Sequence, residues 1–264
     1  MDLELKGKQV FITGGSVGIG LAVARAFARE GAEVAIGARN EDRVKAGAAE
    51  TAREYGVRTL GIPMDVTRPE DITRAADLIE KEFGGIDILI NNAGSGTEET
   101  VMEAPDDKWY QIWDLHVMAA VRTVRAFVPF MKKRGGGAVL NTASICAKQP
   151  LWYEPIYNTT KAALSMFGKC LADELIKDNI RVNTVSPGLI LTPDWMKTAK
   201  ILSAKEGISP EAYLERLAKE YTPIGRFGTP EELAETYLFL ASPRAGYTLG
   251  STYYVDGGWL KTVN

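Results

Sequence analysis

Tyr157 and Lys161 stand four residues apart in the run Tyr157-Asn158-Thr159-Thr160-Lys161. In a helix that spacing stacks two side chains on one face. The segment reads as helical, so an ammonium is expected beside a phenol. An unperturbed phenol titrates near pH ~10, too high for efficient proton exchange at neutrality. A neighbouring cation favours the phenolate and is expected to lower that value, and an oxidised nicotinamide ring would lower it further. Ser144 precedes the tyrosine at the end of the apolar run Ala138-Val139-Leu140. Its hydroxyl could hold a substrate oxygen against the phenol. Together these groups make a proton-transfer site for a carbonyl or an alcohol. Alone, a Tyr-x-x-x-Lys pair also fits a solvated helical face.

The elements that must position such a site alternate along the chain. Strand-like runs at Gln9–Ile12, Glu33–Ile36, Thr59–Ile62, Ile86–Ile90, Ala138–Asn141 and Ile180–Val185 are separated by helical patterns. Those patterns cover Ile19–Arg29, Glu41–Tyr55, a helix opening after Pro69, a long helix from about Asp106 to Lys133, and the stretch from Tyr157 to Lys177. The strands lack polar alternation, as expected when helices cover both faces. The pattern predicts an α/β fold: one doubly wound parallel sheet of the Rossmann type with helices on both faces. No repeat, low-complexity tract or Pro/Gly-rich linker divides it, so residues 1–264 are expected to form a single domain.

Between the first strand and first helix lies Thr13-Gly14-Gly15-Ser16-Val17-Gly18-Ile19-Gly20. Glycines there permit a tight turn, close backbone approach to a pyrophosphate and close helix–strand packing. The helix N-terminus adds free N–H groups and a partial positive charge. The spacing is G-x-x-x-G-x-G rather than the commoner G-x-G-x-x-G, and a glycine turn without a ligand is the plainer alternative. After the second strand, an acidic residue would bind a ribose 2′-OH and repel a 2′-phosphate. The chain instead reads Gly37-Ala38-Arg39-Asn40. A guanidinium suits a phosphate, which favours NADP over NAD, unless Arg39 is an ordinary solvated residue at a helix start.

Composition narrows the class. Of 264 residues, 45% are hydrophobic and 25% charged, with a formal net charge of −3. That is ordinary for a globular protein and gives no sign of a nucleic-acid or membrane-surface partner. The two cysteines, Cys146 and Cys170, suggest neither a disulfide framework nor a metal site, and one histidine excludes a multi-histidine metal centre. No apolar stretch has membrane-spanning length, and Met1–Lys6 lacks the layout of a signal peptide. The expectation is a metal-free cytoplasmic protein.

These motifs resemble, across nearly the whole chain, the short-chain dehydrogenase/reductase family, including its 3-oxoacyl-acyl carrier protein reductases and related NADP-dependent carbonyl reductases. The resemblance rests on Thr13-Gly14-x-x-x-Gly18-x-Gly20, Asn91-Asn92-Ala93-Gly94, Ser144, Tyr157-x-x-x-Lys161, Asn183-Thr184-Val185-Ser186-Pro187-Gly188 and Asp256-Gly257-Gly258, in that order. It implies that Tyr157 is the general acid or base and that Ser144 orients the substrate oxygen. Lys161 would tune the tyrosine and bind the nicotinamide ribose. Gly14, Ser16, Gly18, Ile19 and Gly20 would cradle the cofactor. Asp65 and Val66 would lie at the adenine, Asn92 would help hold the cofactor, and Pro187, Gly188 and Thr192 would flank the carboxamide. A homotetramer is implied as well. Two positions depart from the family pattern. His116, in Asp114-Leu115-His116-Val117, stands where relatives carry a water-binding asparagine, and either joins the proton relay or merely packs. Val17 stands where many NADP-preferring relatives carry a basic residue.

Three loops should border the substrate: Ser95–Glu103, Ile145–Ile156, and a lid at about 189–222. Trp152, Tyr153 and Trp195 lie in them and either form an apolar pocket or pack the lid against the body. The expected activity is NADP(H)-dependent interconversion of a ketone or aldehyde and an alcohol. An NAD-dependent alcohol dehydrogenase and a dinucleotide sensor without chemistry are the alternatives.

Overall fold

The computed structural model describes residues 1–151 and 153–262. Among them, seven strands form one parallel sheet in the order β3-β2-β1-β4-β5-β6-β7. These are β1 (Gln9–Thr13), β2 (Glu33–Ala38), β3 (Thr59–Pro63), β4 (Ile88–Asn91), β5 (Gly137–Thr142), β6 (Ile180–Pro187) and β7 (Thr252–Val255). The order reverses between β1 and β4, where neighbouring crossovers leave on opposite faces and open a crevice at the strand C-termini. Register fixes those ends side by side, with Ile12 opposite both Ile36 and Ile90, and Asn91 opposite Asn141.

The continuous apolar runs are explained by two hydrophobic layers. Val10 and Ile12 point into one layer with Val23, Phe27, Tyr237 and Leu238. Phe11, between them in sequence, points into the other with Ile79, Phe127 and Leu175. Helices α1 (Gly18–Arg29), α2 (Glu41–Tyr55) and α9 (Pro230–Ala241) supply the first layer. Helices α3 (Pro69–Phe83), α5 (Ala119–Lys133) and α6 (Pro155–Leu175) supply the second.

The predicted long helix after β4 is interrupted. Helix α4 (Asp106–Trp113) passes into a π-helical turn over Asp114–Met118 before α5 begins. Such a turn inserts one extra residue per hydrogen-bonded ring and is frequent at functional sites; His116 lies in it. After β6, the chain forms α7 (Pro193–Glu206) and α8 (Pro210–Tyr221). Both lie in the stretch expected from sequence as a lid. No helix among the described residues is long and apolar enough to cross a membrane.

Candidate active site at the strand C-termini

The turn from β1 into α1 is shaped by backbone rather than side chains. Gly14 and Gly18 take φ of +69° and +56°, in the region that favours glycine. A Cβ on Gly20 would lie 2.3 Å from the Gly14 carbonyl oxygen, so only glycine fits the crossing. Asn92, just past β4, braces the turn: its Nδ2 donates to the Thr13 and Gly14 carbonyls at 3.0 and 3.2 Å. Thr13 Oγ1 in return accepts from the Asn92 and Ala93 amides.

Helix α1 follows Val17, which offers no side-chain cap, and has no acidic residue in its first turn. By contrast, Asn40, Thr192, Ser209 and Thr229 cap α2, α7, α8 and α9. The N-terminal amides of α1 are thus left to a ligand, and their partial positive charge suits an anion. The Ser16 hydroxyl and the exposed Arg39 guanidinium have no hydrogen-bond or ion-pair partner among the described residues. Gly18 meets the segment after β6, because a Cβ there would lie 3.5 Å from Thr192 Cγ2. Asp65 Oδ1 accepts from the Thr67 amide and hydroxyl at 2.9 and 2.7 Å, which fixes the turn beside buried Val66. Gly188 follows Pro187 and donates its amide to the Val255 carbonyl, tying the end of β6 to β7. These residues fit a dinucleotide: anion-ready amides, a glycine cradle and an unpaired guanidinium.

At the end of β5, Ser144 starts a short 3₁₀ turn over Ile145–Ala147, and its Oγ accepts from the Cys146 amide at 3.2 Å. Helix α6 crosses that end and delivers Tyr157 beside Ser144, whose hydroxyl favours the phenolate. Lys161, 4% exposed, donates from Nζ to the Thr142 carbonyl at 2.8 Å and sits 5.5 Å from the centre of the tyrosine ring.

The expected lowering of the phenol pKa is not what this geometry produces. Burial pushes the Tyr157 phenol above its usual range, with Ser144 only partly opposing it. Lys161 covers the ring face and spends a hydrogen bond on Thr142. Burial draws the lysine itself down to about 8. Desolvation disfavours the charged form of each.

His116 is 2% exposed, and both its ring nitrogens are engaged. Nε2 accepts from the Ser95 amide at 3.2 Å, which puts the ring proton on Nδ1 to donate to Thr160 Oγ1 at 2.8 Å. Burial, then the Lys161 charge, pulls its pKa down to about 2. The ring is therefore neutral at working pH, although an ordinary imidazole titrates near neutrality. It remains close to the site, packed edge-on to Tyr157 at 5.6 Å between centroids.

Of the aromatic residues expected at the substrate, Trp152 lies outside the described residues. Tyr153 is half-buried, and its carbonyl accepts from the Glu99 amide at 3.0 Å. Trp195 packs edge-on to Phe227 at 5.4 Å and joins two clusters, one with Cys146 and Tyr157, the other with Tyr213 and Leu214 of α8. It therefore packs α7 against the body, beside Tyr157. Cys146 and Glu154, absent from the sequence assignment, are buried here at 6% and 8% exposure, with Sγ donating to Oε1 at 3.4 Å. The available signal was Glu154 lying three residues before Tyr157, at the N-cap of α6.

The family model described as "Enoyl-(Acyl carrier protein) reductase" matches residues 14–260. A solved L-sorbose reductase from Gluconobacter frateurii, complexed with NADPH and L-sorbose, is 56% identical over 100% of both chains, with a TM-score of 0.98. The 3-oxoacyl-[acyl-carrier-protein] reductase of Aquifex aeolicus is 34% identical over 98% of this chain and 99% of its own length. A 7α-hydroxysteroid dehydrogenase complexed with NADH and 7-oxo glycochenodeoxycholic acid is 32% identical. It covers 100% of this chain and 98% of its own, with a TM-score of 0.87.

Proposed function

The chain belongs to the short-chain dehydrogenase/reductase family, and we propose that it uses NADPH to reduce a polyhydroxylated ketone to the corresponding alcohol, reversibly. The observation that carries the substrate class is the end-to-end similarity to a reductase complexed with NADPH and L-sorbose. Bound NADPH supplies the hydride. Tyr157, kept protonated by burial, gives its phenolic proton to the substrate oxygen as negative charge develops there. Ser144 Oγ orients that oxygen from the other side. Lys161, poised near pH 8, returns a proton to the phenolate and stabilises it meanwhile. Neutral His116 fixes Thr160 and the Ser95 backbone around the pair.

For the cofactor, the α1 amides, Ser16 and the Gly14–Gly20 turn would hold the pyrophosphate, and Arg39 the 2′-phosphate. Asp65 and Val66 would border the adenine, Asn92 would keep the crevice open, and Pro187, Gly188 and Thr192 would face the carboxamide. Helices α7 and α8 serve as the lid, anchored through Trp195. Exposed Tyr110, Trp113, Met166 and Phe239 on α4, α6 and α9 suit the subunit contacts of a homotetramer. NAD is the second choice of cofactor, favoured by the NADH complex of the steroid dehydrogenase relative. Against it stands Arg39 in place of a carboxylate after β2.

The test is a steady-state screen of L-sorbose, other ketoses, diketones and steroid ketones with each cofactor. NADPH with a ketose should give the highest kcat/KM. Turnover confined to steroids or acyl thioesters would sink the substrate class, and a preference for NADH would sink the cofactor assignment.

A further inference from the structure

Glu154 is a buried carboxyl group beside the candidate acid in sequence that the reaction scheme leaves without a task. It sits at the N-terminus of α6, 8% exposed, three residues ahead of Tyr157. Buried carboxylates ordinarily find a cation, because an isolated one is costly to desolvate. Glu99, on the loop after β4, follows that rule: its buried side chain meets Lys108 Nζ at 2.6 Å. Glu154 does not. Among the described residues no Lys, Arg or His lies within ion-pair distance of it, and the partner recorded for its Oε1 is the weak thiol donor Cys146 Sγ, at 3.4 Å.

The position is set from both sides. Cys146 is two residues past Ser144 and donates its amide to Ser144 Oγ, so the thiol that holds Glu154 belongs to the turn that presents the serine. Cys146 also packs in the cluster containing Tyr157 and Trp195. On the far side, Glu99 donates its amide to the Tyr153 carbonyl, and its Oε1 accepts from the Ile156 amide at 3.3 Å. Three chain segments thus hold one acceptor-rich group against Cys146, which packs with Tyr157. Such a group is mismatched to an apolar ketone and matched to a hydroxylated one.

We propose that Glu154, held by Cys146, is the specificity residue of this site, accepting a hydrogen bond from a substrate hydroxyl close to the carbonyl that Ser144 and Tyr157 engage. This rests on the assignment of a polyhydroxylated ketone as substrate. Discrimination comes from the polar group itself: with a hydroxyl absent, the buried carboxyl is left without its partner. Its elevated pKa, about 7 through burial, agrees with a carboxyl that lacks a cation.

The experiment compares L-sorbose with 2,3-hexanedione, a six-carbon ketone without hydroxyls, using NADPH and the wild-type, Glu154→Gln and Cys146→Ala proteins. Glu154→Gln preserves shape and removes the carboxylate. The ratio of kcat/KM for L-sorbose to that for the diketone should fall by roughly tenfold to a hundredfold, mostly through KM for L-sorbose. Cys146→Ala should move the ratio the same way but less. Equal losses on both substrates, or an unchanged ratio, would overturn the assignment of Glu154 and assign it to structure. A wild-type enzyme that reduces the diketone and leaves L-sorbose untouched would instead overturn the substrate class, which separates the two failures.

Discussion

Replacing Glu154 by glutamine should change stability in a way that depends on pH. In the folded chain burial penalises the ion and pushes the carboxyl up to about 7 from its ordinary 4.5; Cys146 opposes and Glu99 reinforces this. An acid with a raised folded pKa binds more protons folded than unfolded between those values, so stability falls as pH rises through that window. Below the unfolded value both states are protonated and no cost exists; above about 7 the cost is complete. Between pH ~5 and pH ~8 the shift amounts to about 2.5 kcal/mol. Glutamine does not titrate, so any fixed difference in packing adds a constant offset. The melting temperature of Glu154→Gln relative to wild type should therefore rise by roughly 5 °C from the acid to the alkaline end of that range, for a chain of this size. Thermal scans of both proteins in matched buffers check this. A difference that stays flat across the range would show that Glu154 is solvated or paired with a cation, and the desolvation reasoning would fail with it.

Tyr157→Phe removes one hydroxyl and should lower kcat by about two to four powers of ten while leaving NADPH affinity nearly intact, read by steady-state kinetics and fluorescence titration; near-normal turnover would remove the tyrosine from the reaction. Arg39→Ala should weaken NADPH by roughly ten- to a hundredfold, leave NADH little changed and leave the melting temperature alone, because Arg39 is exposed without partners. Equal weakening of both cofactors would contradict its contact with the 2′-phosphate. His116→Leu strips partners from the Ser95 amide and the Thr160 hydroxyl and should cost about 1–3 kcal/mol in denaturant unfolding. Since the ring titrates at about 2, the pH–rate profiles of wild type and His116→Asn should share the same inflections between pH ~6 and ~7. An inflection lost in the variant would restore the histidine to the titrating groups.

How much of this was legible in the sequence depends on whether the information is local. Helix α2 was read to its ends because Asn40 caps it, Glu41 and Asp42 favour its first turn and Gly56 closes it in the left-handed region. Tyr157 and Lys161 share one helix, so their spacing announced them. The π-turn over Asp114–Met118 was invisible, since one extra residue in the hydrogen-bond ladder leaves the apolar pattern continuous enough to pass for a single helix. Helix α7, α9 and β7 went unread, although α9 carries a complete capping box from Thr229 and Glu232. Glu154, Cys146 and Glu99 come from three segments, and only tertiary structure joins them.

The larger miss was electrostatic, and it has one cause. Sequence spacing suggested that charge would govern the site, with an ammonium pulling a phenol down. In the fold, burial heads the causes at four groups: it lowers His116 and Lys161 and raises Tyr157 and Glu154. Every one of these shifts favours the uncharged form. A site so arranged keeps its acid protonated at neutrality and leaves its lysine close to losing a proton. Charge that develops on a substrate oxygen there meets little competing charge and a medium that magnifies each hydrogen bond. Residue types supply the participants; the depth at which β5, β6 and α6 bury them decides which proton each one holds.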